Sequence, residues 1–112
     1  MTEHVHKEER FAEILEAGKH EQKPVFLKFG ATWCAPCKAI APKFDALAKK
    51  HQSQAYFVSI DVDDLPEVAS TFKVSSIPRF IVVKNLKVAD SWMGANAEII
   101  AQHIAKHCVR HN

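Results

Sequence analysis

The chain of 112 residues contains no apolar stretch long enough to cross a bilayer. Its most apolar early segment, Pro24 to Ala31, is interrupted by Lys28. It falls far short of the roughly 20 residues a spanning helix needs. Met1 to Arg10 is polar and charged, without the apolar centre of a secretory leader, so the reading is a soluble chain of the cytoplasm with no membrane contact. Charge of one sign is also scarce. The net charge is +2 and no run of like charges appears, which removes the electrostatic case for nucleic acid. Cysteine is sparse too: Cys34, Cys37 and Cys108 make a poor disulfide framework, because pairing leaves one over. Internal repeats, low-complexity tracts and linkers are absent, so residues 1–112 read as one domain.

What remains is an ordinary globular composition, 47% apolar and 25% charged, enough for a single core. Glu3 to His6 suits a short edge strand. Glu8 to about His20 places Phe11, Ile14, Leu15 and Gly18 at helical spacing. Val25 to Phe29 is a run of strand formers. Cys34 to Lys50 returns to helical spacing through Cys37, Ile40, Ala41, Phe44, Leu47 and Ala48, with Pro42 inside. Ala55 to Asp61 reads as a strand, Leu65 to Phe72 as a short helix with Pro66 in its first turn, and Arg79 to Val83 as a strand. A hairpin through Lys84-Asn85-Leu86 leads into Lys87 to Met93. Ala97 to about Val109 closes the chain as a helix capped by Asn96. The order predicts an α/β fold with a central mixed β-sheet flanked by helices on both faces.

The chemistry is concentrated in Thr32-Trp33-Cys34-Ala35-Pro36-Cys37-Lys38, between a strand and a helix. A thiol is a nucleophile only as the thiolate, and a helix N-terminus favours that form through its unpaired N–H groups and positive dipole end. Cys34 falls at that position. Cys37 lies one turn in and is expected to be the more buried. Cys34 then attacks a target disulfide, and Cys37 resolves the mixed disulfide. Pro36 suits the first turn and stiffens the spacer. The competing reading, a zinc half-site, needs four ligands; no second CxxC exists and Cys108 alone does not complete one.

The motifs Phe29-x-Ala31-x-Trp33-Cys34-x-Pro36-Cys37-Lys38, Pro42, Asp61-Val62-Asp63, Val74-Ser75-Ser76-Ile77-Pro78 and Gly94-Ala95-Asn96 span nearly the whole chain. Correctly ordered and spaced, they make the chain resemble a cytosolic thioredoxin of eukaryotic type. The resemblance implies the thioredoxin fold and a monomeric disulfide reductase with no cofactor of its own. It also implies disulfide-containing protein substrates and recycling by an NADPH-dependent thioredoxin reductase. It further implies a cis Ile77–Pro78 bond beside Cys34 and a groove for extended peptide formed by Trp33, Ala35, Pro36, Ile77, Pro78 and Gly94. A thioredoxin-like adaptor whose dithiol mainly senses oxidation is the alternative.

Four departures from the family pattern stand out. Lys28 occupies the place of a buried aspartate behind the second cysteine, and Ser59 that of its lysine partner on the adjacent strand. Two readings of Lys28 stand side by side. It reaches the surface or pairs with a carboxylate such as Asp61, or it lies below Cys37 and modulates its thiolate. Ala35-Pro36 replaces Gly-Pro. Arg79 follows the proline, most simply as a solvated strand-end charge. Gly30 and Leu86 replace a frequent aromatic and a turn glycine, with Asn85 left to supply the left-handed conformation. Cys108 reads as a core residue. His103, His107 and His111 recur every four residues, for which solvation or adventitious binding is favoured over a functional metal site.

Overall fold

The computed structural model describes residues 1–108. Five strands form one sheet in the order β1-β3-β2-β4-β5. The strands are β1 (Thr2–His4), β2 (Val25–Gly30), β3 (Tyr56–Asp61), β4 (Arg79–Lys84) and β5 (Lys87–Met93). The helices are α1 (Glu8–Glu21), α2 (Ala35–Lys50), α3 (Pro66–Thr71) and α4 (Ala97–His107). β3 runs parallel to both β1 and β2, whereas β4 is antiparallel to β2 and β5. The sheet is mixed and carries helices on both faces, as the sequence predicts.

The central strand explains the layering. β2 is buried along its whole length, so its run Val-Phe-Leu-Lys-Phe shows no polar alternation. Alternate residues supply two cores. Val25, Leu27 and Phe29 pack with Phe11 and Ile14 of α1 and Val68 and Ala69 of α3. Phe26 joins Phe57 and Phe80 against Ile40 and Phe44 of α2 and Ile100 and Ile104 of α4. The Phe26 and Phe57 rings stack at 5.1 Å. Truncating a buried ring such as Phe44 to alanine would cost about 3–5 kcal/mol.

Local signals account for the element ends. Glu8 and Glu9 open α1 and Lys19 and His20 close it, each sign matched to the helix dipole. Asn96 Oδ1 accepts the N–H groups of Glu98 and Ile99 at 3.0 and 3.1 Å, capping α4. Pro66 opens α3, where a missing N–H costs nothing. The edge strand stops at His4, short of the expected His6. Buried Val5 still donates its N–H to Ser59 O at 3.1 Å, while the His6 ring turns to Asp64 at 2.7 Å. The β4–β5 turn departs from expectation, for both Asn85 (φ 52°) and Leu86 (φ 64°) are left-handed. Of the two-residue hairpin turns that match strand twist, the one formed here has positive φ at both central positions. Val109 and His111 lie outside the described residues. No helix among the described residues is long and apolar enough to cross a membrane.

Candidate active site

β2 delivers its last residue, Gly30, to the sheet's end, and the chain turns through Ala31-Thr32-Trp33 into α2. Cys34 is the N-cap of α2, in extended conformation (φ −92°, ψ 106°). Its carbonyl accepts the N–H of Lys38 at 3.1 Å, the first bond of the helix. Its sulfur accepts the backbone N–H of Cys37 at 3.3 Å. A helix N-terminus has N–H groups without intrahelical acceptors, and here one of them is aimed at a sulfur. No acidic residue stands in the first turn of α2 to oppose an anion there.

The two cysteines form a disulfide, with Cα atoms 5.3 Å apart. The expected asymmetry of burial is not present. Cys34 is 6% exposed and Cys37 7%. Both belong to a small apolar cluster with Ala31, against which Val62 and Ile77 pack. The reason is tertiary: the segments after β3 and before β4 close over the helix end, which spacing along one helix does not reveal. The neighbours Thr32, Trp33, Ala35 and Pro36 are exposed, so the pair lies just under the surface.

The remaining expected residues gather round this end of the sheet. The Ile77–Pro78 peptide is cis. Ile77 is half-buried against the cysteine cluster, Pro78 is buried, and Gly94 donates its N–H to Pro78 O at 3.1 Å. Gly94 has φ 98°, a conformation that favours glycine. Trp33 is 69% exposed. Its indole N–H donates to Asp63 Oδ2 at 2.8 Å, a partnership the sequence did not signal.

Among the described residues, Lys28 is the single charged one that is buried, at 6% exposure. It sits opposite Ser59 in the β2–β3 register, as the resemblance implies. It does not reach open surface, and among the described residues it forms no ion pair. Asp61, the expected partner, instead accepts the Asp63 N–H at 2.8 Å. The Lys28 ammonium lies 5.4 Å from the centre of the Phe44 ring. Burial pushes its pKa down, with Asp45 pulling the other way. Lys28, Gly30, Cys37, Ala41, Ser59 and Asp61 line one cavity of about 290 Å³, which puts the lysine and the second cysteine on a shared space. Gly30 is a further residue the sequence undervalued. A Cβ there would stand 3.3 Å from both Cβ and Sγ of Cys37, so the bare backbone makes room for that side chain. Arg79 is not simply solvated either, for it is half-buried and its Nε is buried with no hydrogen-bond partner among the described residues.

Comparison with known proteins agrees with this geometry. The thioredoxin family model matches residues 2–106. Thioredoxin H4 of Arabidopsis thaliana is 43% identical over 93 residues, covering 83% of this chain and 78% of that protein. Thioredoxin H3 of the same plant is 41% identical over 102 residues, covering 91% and 86%. The crystal structure of thioredoxin NaTrxh from Nicotiana alata superposes with a TM-score of 0.89 at 33% identity, covering 95% of this chain and 91% of that one. The chain therefore belongs to the thioredoxin family, and its Cys34–Cys37 pair makes it a thiol–disulfide oxidoreductase that reduces protein disulfides.

Proposed function

We propose that Cys34 is the attacking thiol and Cys37 the resolving one. The observation that carries this assignment is the Cys37 N–H directed at Cys34 Sγ from the N-terminus of α2. That donor and the helix dipole stabilise negative charge on the first sulfur. The Cys34 thiolate attacks one sulfur of a substrate disulfide, and the other sulfur leaves as a thiolate. The Cys37 thiolate then attacks Cys34 Sγ and displaces the first substrate sulfur. Two electrons pass to the substrate and the Cys34–Cys37 disulfide remains. Reduction by an NADPH-dependent thioredoxin reductase completes the cycle; the whole chain, residues 1–112, works as one monomeric domain of the cytoplasm in electron transport and redox homeostasis.

Substrate docks as an extended segment over the surface around the dithiol. Exposed Trp33, Ala35 and Pro36 form one side, and Ile77, Pro78 and Gly94 the other. The exposed Met93 next to Gly94 extends this apolar rim. Lys28 is a positioning residue, acting through Cys37: a cation on the cavity behind that sulfur stabilises its thiolate, and a neutral amine there accepts its proton. The carboxylate base usual in the family has no counterpart at this position.

Reduction of insulin by dithiothreitol tests the reading. The wild-type chain speeds precipitation of the reduced insulin and the Cys34→Ser chain does not. Equal rates for the two would defeat it.

A further inference from the structure

The sequence placed His103 and His107 one turn apart on the last helix. The fold brings them a third partner, Asp90 of β5. His103 Nδ1 lies 2.7 Å from Asp90 Oδ2, and His107 Nε2 lies 2.9 Å from the same oxygen. The three donor atoms all fall within 4.8 Å of one another. Each side chain is held by something else. Asp90 Oδ1 accepts the Ser91 N–H at 2.8 Å, which turns Oδ2 toward α4. The His103 ring stacks on Trp92 at 3.9 Å and 4°, and Trp92 stacks on Phe80 at 5.4 Å. The His107 side chain is only 6% exposed, its ring edge against Phe26 at 6.2 Å. Orientation by packing and by a second hydrogen bond on the ligating group is what a metal site requires of its surroundings.

We propose that Asp90, His103 and His107 bind a divalent cation of the zinc class, with a fourth position open to water. Two imidazole nitrogens and a carboxylate oxygen suit Zn²⁺, Co²⁺ and Ni²⁺ and are poor for Mg²⁺ or Ca²⁺. In a tetrahedral zinc site, ligand atoms about 2.0–2.1 Å from the metal stand roughly 3.3 Å from one another. The two contacts to Asp90 need to open by about half an ångström, which small χ rotations supply. The cation takes the place of the hydrogen bonds that now join the imidazoles to the carboxylate, and each ring meets it with an unprotonated nitrogen. Lys106 Nζ lies 3.8 Å from Asp90 Oδ2; its side chain is 68% exposed and free to swing into solvent.

The site is separate from the dithiol. Asp90 pairs with Val82, and Val82 with Phe26, four residues before the end of β2 at Gly30. No cysteine is needed as a ligand. A bound cation would fasten α4 to β5 and so hold the C-terminal helix on the sheet.

The test uses the full chain without an affinity tag, its Cys34–Cys37 disulfide intact so that those thiolates do not compete. Titration with Co²⁺ and Zn²⁺ is expected to saturate at one equivalent per chain and raise the melting temperature. Asp90→Asn and His107→Gln should each weaken binding at least about tenfold, whereas the double change His4→Gln/His6→Gln should not. X-ray absorption of the zinc-loaded wild type, which needs no variant to fold, should show nitrogen and oxygen neighbours only. Absence of saturable binding, affinity untouched by Asp90→Asn and His107→Gln, or a sulfur neighbour would each overturn the proposal.

Discussion

The Trp33 indole donates its N–H to Asp63 Oδ2 at 2.8 Å, joining the segment before the dithiol to the one after β3. Asp63 is itself held by its backbone N–H on Asp61 Oδ1, at 2.8 Å. Two loops with no sequence proximity thus set the posture of the largest exposed ring beside the cysteines. Asp63→Ala should free that ring at little cost in stability, within about 0.5 kcal/mol for an exposed site. The KM for insulin should rise a few-fold with kcat nearly unchanged, because the ring contributes to docking rather than to exchange. Steady-state kinetics would check it; an unaltered KM would remove Trp33 posture from substrate binding.

Lys28 makes a pH prediction with a definite sign. Burial lowers its folded pKa below the ordinary lysine value of 10.5. The unfolded chain therefore binds more protons in the interval below that value, and stability rises with pH across it. Lys28→Leu should flatten this rise and add at least about 1 kcal/mol near neutral pH, where the buried charge is most costly. Urea unfolding of the oxidised chain between neutral and alkaline pH reads the difference free of Cys34 and Cys37 titration. In the reduced chain, the same substitution should alter Cys37 titration and the rate at which the mixed disulfide resolves. If both stay as in wild type, Lys28 has no part in exchange.

Asp90 sets the acid limb. Burial raises its pKa, but hydrogen bonds from His107 and His103 and from the Ser91 N–H outweigh that and hold it at about 2, against an ordinary 3.8. Its contribution is whole above pH 4 and disappears as pH falls toward 2, since the unfolded carboxyl takes its proton first. A displacement of this size corresponds to about 2 kcal/mol. The stability gap between wild type and Asp90→Asn should therefore close over that interval in acid unfolding followed by circular dichroism. A gap of constant size down to pH 2 would contradict it.

Leu86 sits at φ 64° and is 42% exposed, so it carries backbone cost with little burial to offset it. Leu86→Gly should raise stability by about 1 kcal/mol, the cost of a left-handed non-glycine residue. The urea midpoint would report it, with activity unchanged because the turn lies at the opposite end of β4 from Pro78.

Much of this molecule was legible along the chain. Helical spacing in α1, α2 and α4, the unbroken apolar run of β2 and the Asn96 cap are local, and local signals survive in any fold that contains them. The CxxC at a strand-to-helix junction was equally plain, because it needs only adjacent elements. Leu86 was missed because the sequence assigned the left-handed conformation to Asn85 alone, whereas the turn that closes β4 on β5 uses it at both residues.

Composition, periodicity and motif order determined the element sequence, the family and the dithiol. Only the tertiary structure decided that both cysteines are equally buried, that Lys28 pairs with no carboxylate among the described residues, that Gly30 makes room for Cys37 and that Asp90 meets two histidines. Each of these depends on which face and which register distant strands present to one another. A chain read in one dimension specifies its own pleat and helical turn, but not the neighbour that the sheet will set beside it.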